Sequence, residues 1–300
     1  MKRRDFIQNS GFVAGGLMLS PSLVTKPNLK KTTKLTILHT NDTHSNIDAF
    51  PSTHAKYPNL GGVSRRYELI RKVREEEENV LLLDAGDIFQ GTPYFNRFGG
   101  VLEMKLMTEL GYDAATMGNH DFDAGMEGFL NARKFADFPF LCSNYDFSNT
   151  ILDGQTKPYH VFEKGGLKIG VFGLGVELKG LVSDNNFAET RYLDPIEMTQ
   201  EMVRKLQQEK TDLNICLSHL GYEYTTQKIS DRTLARQTAG IDLIIGGHTH
   251  TFLEKPTVEY NLNGKPTLIN QVGWAGIQVG RIDFYVGKHV KSESDLIIID

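Results

Sequence analysis

The stretch Val80-Leu81-Leu82-Leu83-Asp84-Ala85-Gly86-Asp87 sets four apolar residues in a row directly against two carboxylates and a glycine. An uninterrupted apolar run of that length suits a strand buried on both faces, as in a parallel sheet, and places the acids where the strand ends. The arrangement recurs four times along the chain. Lys34 to His39 leads to Asp42-Thr43-His44, Ala114 to Met117 to Gly118-Asn119-His120-Asp121, Leu213 to Leu217 to Ser218-His219, and Leu243-Ile244-Ile245 to Gly246-Gly247-His248-Thr249-His250. Five of the nine histidines (His44, His120, His219, His248, His250) fall in such places.

Those residue types are what a dinuclear metal centre needs: a carboxylate able to bridge, neutral imidazoles to hold each ion, and open positions for water and substrate. Asp87 is the natural bridge. Asp42/His44 and His248/His250 are spaced i, i+2, and in extended chain such residues project to one side, so each pair is expected to face one cavity. Taken singly, each residue is also an ordinary turn former; the ordered set at strand ends is the informative feature.

Between these islands the pattern alternates. Ser64 to Glu78, Val101 to Leu110, Met126 to Phe135 and Ile196 to Lys210 read as helices, and Pro139 to Ser143 and Leu167 to Leu174 as strands. Asp231 to Thr238 leads into the last apolar run before the His248/His250 pair. Val258 to Tyr260, Thr267 to Asn270, Gly276 to Tyr285 and Leu296 to Ile299 are β-rich, with a tight turn at Asn263-Gly264. The expected fold is an α/β sandwich whose strands point their carboxyl ends at one site.

Three hundred residues at 40% hydrophobic and 23% charged suit one large domain, set at residues 31–300, with no second domain required. A formal charge of −4 gives no general attraction for nucleic acid or an anionic membrane, so phosphate affinity must be local. Cys142 and Cys216 lie inside apolar runs and read as buried strand thiols, with a disulfide between them left open. Residues 1–30 differ in kind. Lys2-Arg3-Arg4-Asp5-Phe6-Ile7, then the weakly apolar Gly11 to Leu19, look like a twin-arginine export signal cleaved between Ser20 and Lys31, implying a periplasmic protein. The alternative is a basic start on a cytosolic enzyme. The apolar stretch is too short and glycine-rich for a stable membrane span.

The islands in this order resemble the calcineurin-like metallophosphoesterase superfamily. The fuller wording resembles the catalytic domain of the 5′-nucleotidase family: Ile37 to His44, Asp84-Ala85-Gly86-Asp87 with Gln90-Gly91, and Met117-Gly118-Asn119-His120-Asp121-Phe122-Asp123. The likeness runs from about Leu35 to Phe284. It implies a four-layer α/β/β/α sandwich and two divalent ions, one held by Asp42, His44, Asp87 and His250, the other by Asp87, Asn119, His219 and His248. Such a pair acidifies a bound water, so the implied nucleophile is a metal-bound hydroxide. His120, paired with Asp123, would stabilise the transition state or protonate the leaving oxygen, and Asn119 and His120 would contact substrate. Asp84 is read as structural or as a support behind the ligands, His39 as a core histidine or such a support, and His54, His160 and His289 have no motif support. Trp274 either lines the cleft or packs behind a strand.

The resemblance implies phosphomonoester hydrolysis, with nucleoside 5′-monophosphates the leading substrates. Nucleotide-sugar or cyclic-nucleotide phosphodiesters, or the sulfur esters of related proteins, are the alternatives, and a non-catalytic metal- or nucleotide-binding subunit is the alternative of another class. An intact His120 and Asp123 argue against the last. The carboxy-terminal nucleotide-binding domain of many 5′-nucleotidases is not in this chain, so a separate chain carrying it is a candidate partner. The donors suit zinc, manganese, iron or cobalt, and calcium alone suits them poorly.

Overall fold

The computed structural model describes residues 32–287 and 290–300. The sequence expected to be an export signal, and His289, lie outside them.

One sheet has the order β13-β12-β1-β2-β3, built from Val290–Ile298, Gln278–Val286, Thr33–Thr40, Val80–Asp84 and Ala114–Ala115. The second runs β10-β11-β9-β8-β6-β5, from Thr257–Tyr260, Pro266–Asn270, Leu243–Gly246, Leu213–Ser218, Leu167–Leu174 and Tyr159–Lys164. A minor antiparallel pair joins β4 (Tyr145–Asp146) to β7 (Arg191–Tyr192). Within the large sheets β1, β2 and β3 are mutually parallel, as are β6, β8, β9 and β11, with Leu38 opposite Leu82 and Ile215 opposite both Val171 and Leu243.

Period-two side-chain alternation turns these strands into layers. Leu35, Ile37, Leu81 and Leu83 of the first sheet pack in one buried cluster with Val171, Ile215, Leu217, Leu243 and Ile245 of the second. The alternate residues face outward. Leu38 and Leu82 meet α1 (Val63–Glu76), α3 (Val101–Leu110) and α4 (Gly125–Arg133), with the short α2 (Pro93–Phe98) adding Phe95. Cys216 and Ile244 meet α6 (Pro195–Glu209) and α7 (Asp231–Gln237), while α5 (Asp184–Phe187) is a single turn. The result is the expected α/β/β/α sandwich. Cys142 and Cys216 are free and lie in different clusters, one on each side of the molecule. Among the described residues no helix is long and apolar enough to cross a membrane.

Several element boundaries differ from expectation. Residues 139–143 form only single bridges, Phe140 to Ala115 and Leu141 to Lys157. Pro139 has no amide to give a ladder, and the following amides serve different neighbours: Leu141 to Ala115, Cys142 to Lys157, Ser143 to Gly173. β13 begins at Val290 rather than Leu296; residues 290–295 are exposed and carry no apolar pattern, which hid them in the sequence. β5 gave too weak a pattern to read, whereas α2 carries a legible start, with Thr92 accepting from the Tyr94 amide and Pro93 in the first turn.

Candidate metal centre

β1, β2, β3, β8 and β9 all end at one edge of the sandwich, and the chain leaving them stays hydrogen-bonded. The Asp42 amide donates to Gly86 O (2.8 Å), that of His44 to Asp87 O (3.0 Å) and that of Ser45 to Ile88 O (2.9 Å). The loops after β1 and β2 are therefore held side by side beyond the sheet. The His248 amide lies 3.0 Å from both Asp42 carboxylate oxygens, which ties the loop after β9 to the loop after β1.

The i, i+2 pairs do bring their donor atoms to one centre, but not for the expected reason. Asp42, His44, Asp87, His248 and His250 all have positive φ, between 46° and 71°, so the pairs lie on left-handed turns rather than extended chain. β1 and β9 have already ended at Thr40 and Gly246. Each such residue costs on the order of 1 kcal/mol or more, and clusters of that kind mark sites where the surroundings impose the geometry.

Two donor sets result: Asp42, His44, Asp87 and His250, and Asp87, His219 and His248, each with donor atoms within 4.8 Å of one another. Asp87 belongs to both. His44 Nδ1 faces Phe89 O (3.2 Å) and His219 Nδ1 faces Ala85 O (2.7 Å), which leaves both Nε2 atoms directed inward. His44 Nε2 and His250 Nε2 converge to 3.0 Å. His219 Nε2 is buried and out of line for a hydrogen bond, although Asp87 Oδ2 is 3.1 Å away, and Asn119 Oδ1 is likewise buried without a partner. Buried polar atoms are rarely left unpaired, so His219 Nε2, which belongs to a donor set with Asp87, is evidence for an ion there.

The electrostatics agree. Burial lowers the pKa of His44 and takes His248 down to about 4, leaving neutral imidazoles fit to donate. Burial works to raise Asp87, but His219, His44 and His120 around it hold it below the usual carboxylate range. The converse holds for His219: burial opposes its charge, yet Asp87 dominates and pushes it up to about 10, so this point of the pocket draws positive charge. The buried residues fit a pair of divalent cations.

His120 stands beside the sets, its ring centroid 5.2 Å from that of His44, with Nδ1 2.7 Å from Asp123 Oδ2 and its amide donating to Asp87 Oδ1. The Asp123 hydrogen bond raises the His120 pKa. Asp84 is fully buried and accepts from Thr40 Oγ1 and the Gly86 amide, outside both donor sets. His39 is a buried core histidine, driven down to about 3 by burial and 2.9 Å from Asn270 Nδ2. His160 sits on β5 against Phe162 and away from the centre.

A model of the calcineurin-like phosphoesterase family matches residues 35–252. The chain belongs to that family. Among curated relatives of this phosphoesterase, the trifunctional nucleotide phosphoesterase YfkN of Bacillus subtilis is 34% identical over 83% of this chain and 18% of its own length. The snake venom 5′-nucleotidase of Gloydius brevicauda is 35% identical over 79% of this chain and 41% of its own. The 5′-nucleotidase precursor of Thermus thermophilus superposes with a TM-score of 0.80 at 34% identity, covering 89% of this chain and 55% of that one. This phosphoesterase chain thus spans less than half the length of those two curated relatives.

The sequence reading missed Asp121 and Asp231. Asp121 Oδ1 accepts from the amides of Ile88 and Phe89, and Oδ2 from those of Asp87 and Gly118. Burial and the Asp87 charge push Asp121 up to about 7. Each oxygen nonetheless faces two N–H donors and finds no acceptor for a proton, so this geometry holds the ionised form. Its signal was available: it is the last residue of the Gly118 to Asp121 island. Asp231, buried and bonded to Ser218 Oγ, had none, since it opens a helix.

Proposed function

We propose that this phosphoesterase hydrolyses phosphomonoesters, with nucleoside 5′-monophosphates the leading substrate class. The observation that carries the proposal is a pair of donor sets sharing buried Asp87, with the His120–Asp123 pair immediately beside them. Asp42, His44, Asp87 and His250 would hold one divalent cation; Asp87, Asn119, His219 and His248 the other. When bound, zinc, manganese, iron or cobalt ions there supply an acidified water as nucleophile and neutralise charge on the phosphoryl oxygens.

The chain's own residues do the rest. Asp87, shared by both donor sets, would contribute to each from one backbone position. Asn119 and His120 meet the phosphoryl group. With Nδ1 bound to Asp123, His120 presents Nε2–H to the ester, where it donates to the developing charge or to the leaving oxygen.

The test is hydrolysis of AMP, UDP-glucose, cyclic nucleotides and p-nitrophenyl phosphate by metal-loaded protein lacking residues 1–30, with EDTA-treated protein as control. Phosphate release from AMP, lost with EDTA and restored by Mn²⁺ or Zn²⁺, is expected. Turnover confined to the diesters would replace the monoesterase reading. The proposal extends to export by the twin-arginine route to the periplasm, on the strength of Lys2-Arg3-Arg4 and the apolar stretch after it. Replacing Arg3 and Arg4 by lysine should retain the protein in the cytosolic fraction, and unchanged fractionation would remove that route.

A further inference from the structure

The rings of the centre continue outward into a further set of aromatic rings. His120, His44, His250 and Trp274 form a file with successive centroid separations of 5.2, 5.0 and 5.8 Å, and the indole lies within 8° of parallel to the His250 ring. Beyond the indole, Phe50 and Tyr57 meet it edge-on at 6.0 and 6.4 Å, and Tyr57 stacks with Phe252 at 6.1 Å. The rings come from three separate stretches: the loop between β1 and α1, the residues just after His250, and the β11–β12 connection. An aromatic cluster assembled for stability would be buried, but Phe252 is 38% exposed and Phe50, Tyr57 and Trp274 are half-buried.

The cluster is also fixed to the centre. The Gly273 amide donates to Thr251 O, Asn41 Nδ2 donates to Gly273 O (2.7 Å), and the Ala275 amide donates to Asp42 O (2.8 Å). Trp274 is therefore clamped on both sides to Thr251 and to Asn41-Asp42. Gly273 has φ +72°, and a Cβ there would fall 2.2 Å from the Phe252 ring, so Phe252 packs directly on that backbone. Rigid, half-exposed aromatic rings beside a polar centre form a surface that a flat apolar group covers well.

We propose that Tyr57, Phe252 and Trp274 form a stacking subsite for the heterocyclic base of the leaving group. With it, this chain's own residues favour a nucleobase-bearing phosphoester over the same ester without its base. The inference rests on the phosphoesterase reading, because the phosphoryl group at the donor sets brings the leaving group alongside the wall. One pentose separates a 5′-phosphate from its base, and one indole separates His250 from Tyr57, so the base reaches the wall without the phosphate leaving the centre. Stacking accepts any π face, so the subsite selects for a base without choosing strongly among bases.

Trp274 is the only tryptophan in the chain, so its emission reports on the wall alone. In metal-loaded protein, adenosine should quench that emission saturably and ribose should not. Phe252→Leu and Tyr57→Leu keep apolar bulk but remove the π face, and each should weaken the adenosine effect roughly tenfold. The ratio of kcat/KM for AMP to that for ribose 5-phosphate should fall by a similar factor. Equal quenching by adenosine and ribose, or a ratio unchanged in both variants, overturns the subsite. No turnover of either ester, with the adenosine quench intact and lost in the variants, sustains the subsite and strikes the phosphoesterase reading instead.

Discussion

Asp121 accepts the amide proton of Asp87 at 3.0 Å, so one buried carboxylate sets the backbone of the other. Its remaining bonds, to the amides of Ile88, Phe89 and Gly118, tie the loops after β2 and β3 into one unit. Asp121→Asn turns one of those oxygens into an NH₂ group that faces N–H donors. The substitution should lower stability by about 1–3 kcal/mol in urea denaturation and reduce metal occupancy with it. Full occupancy at unchanged stability would show that the loops hold their shape without the carboxylate.

His120→Asn removes the ring but leaves the seven proposed ligands intact. Metal content should stay near the unsubstituted protein's while turnover of a monoester falls by roughly a hundredfold or more. Asp123→Asn should fall in the same direction but less, since the 2.7 Å bond orients His120 and favours its charged form without touching substrate. Turnover unchanged in both variants would take the pair out of the reaction.

The order of layers and the places where strands end were legible because buried parallel strands must be continuous apolar runs, and Val80 to Leu83 and Leu243 to Ile245 are such runs. All five histidines singled out do come together. What could not be read was how the ligands turn inward: extended chain would also bring Asp42 and His44 to one side, and only the left-handed φ values show that turns do it. Asp231 was illegible for a related reason. Its role depends on Ser218, thirteen residues away, and on a burial that a helix-opening aspartate does not advertise. β13 was half-missed because an edge strand exposed on both faces has no period to detect.

Asp42 and Asp87 are buried at the donor sets, where uncompensated negative charge is costly. Divalent cations that bind only the folded chain should raise the melting temperature, by an amount equivalent to about 2.7 kcal/mol at a hundredfold excess over Kd. Mn²⁺ or Zn²⁺ added to EDTA-treated protein is expected to give that rise, and Asp87→Asn to abolish most of it. A melting temperature indifferent to either metal would count against the donor sets as a cation site.

Glu259 on the edge strand β10 accepts from Arg236 Nε and Nη2 (2.8 and 2.7 Å) and from Arg232 Nε (2.6 Å), which clasps α7 to the second sheet. The Arg236 and Arg232 hydrogen bonds hold its pKa below the ordinary 4.5. A depressed folded-state pKa contributes stability that is present above the unfolded value and is lost as pH falls through the folded one. With Arg236 half exposed, solvent screening keeps the contribution to roughly 1 kcal/mol or less. The stability difference between the protein and Glu259→Gln should be constant from neutrality to about pH 5 and close on further acidification. A difference that persists at lower pH would mean the glutamine has lost packing rather than charge.

Gly118 lies where the loop after β3 passes closest to the centre. A Cβ at that position would fall 2.2 Å from Asp87 Oδ1, 2.6 Å from the Asp87 amide nitrogen and 2.7 Å from His219 Cε1. None of these is the free end of a flexible side chain, because Asp87 is fixed through Asp121 and His219 through Ala85 O. Gly118→Ala must therefore displace the residue shared by both donor sets, and metal content and turnover should fall together. Gly99 supplies the comparison, with φ +55° and nothing within 4 Å of an added Cβ. Gly99→Ala should cost about 1 kcal/mol of backbone strain while leaving both metals in place. If Gly118→Ala kept its metals with a similar loss of stability, contact at Gly118 would not be what holds Asp87 in register.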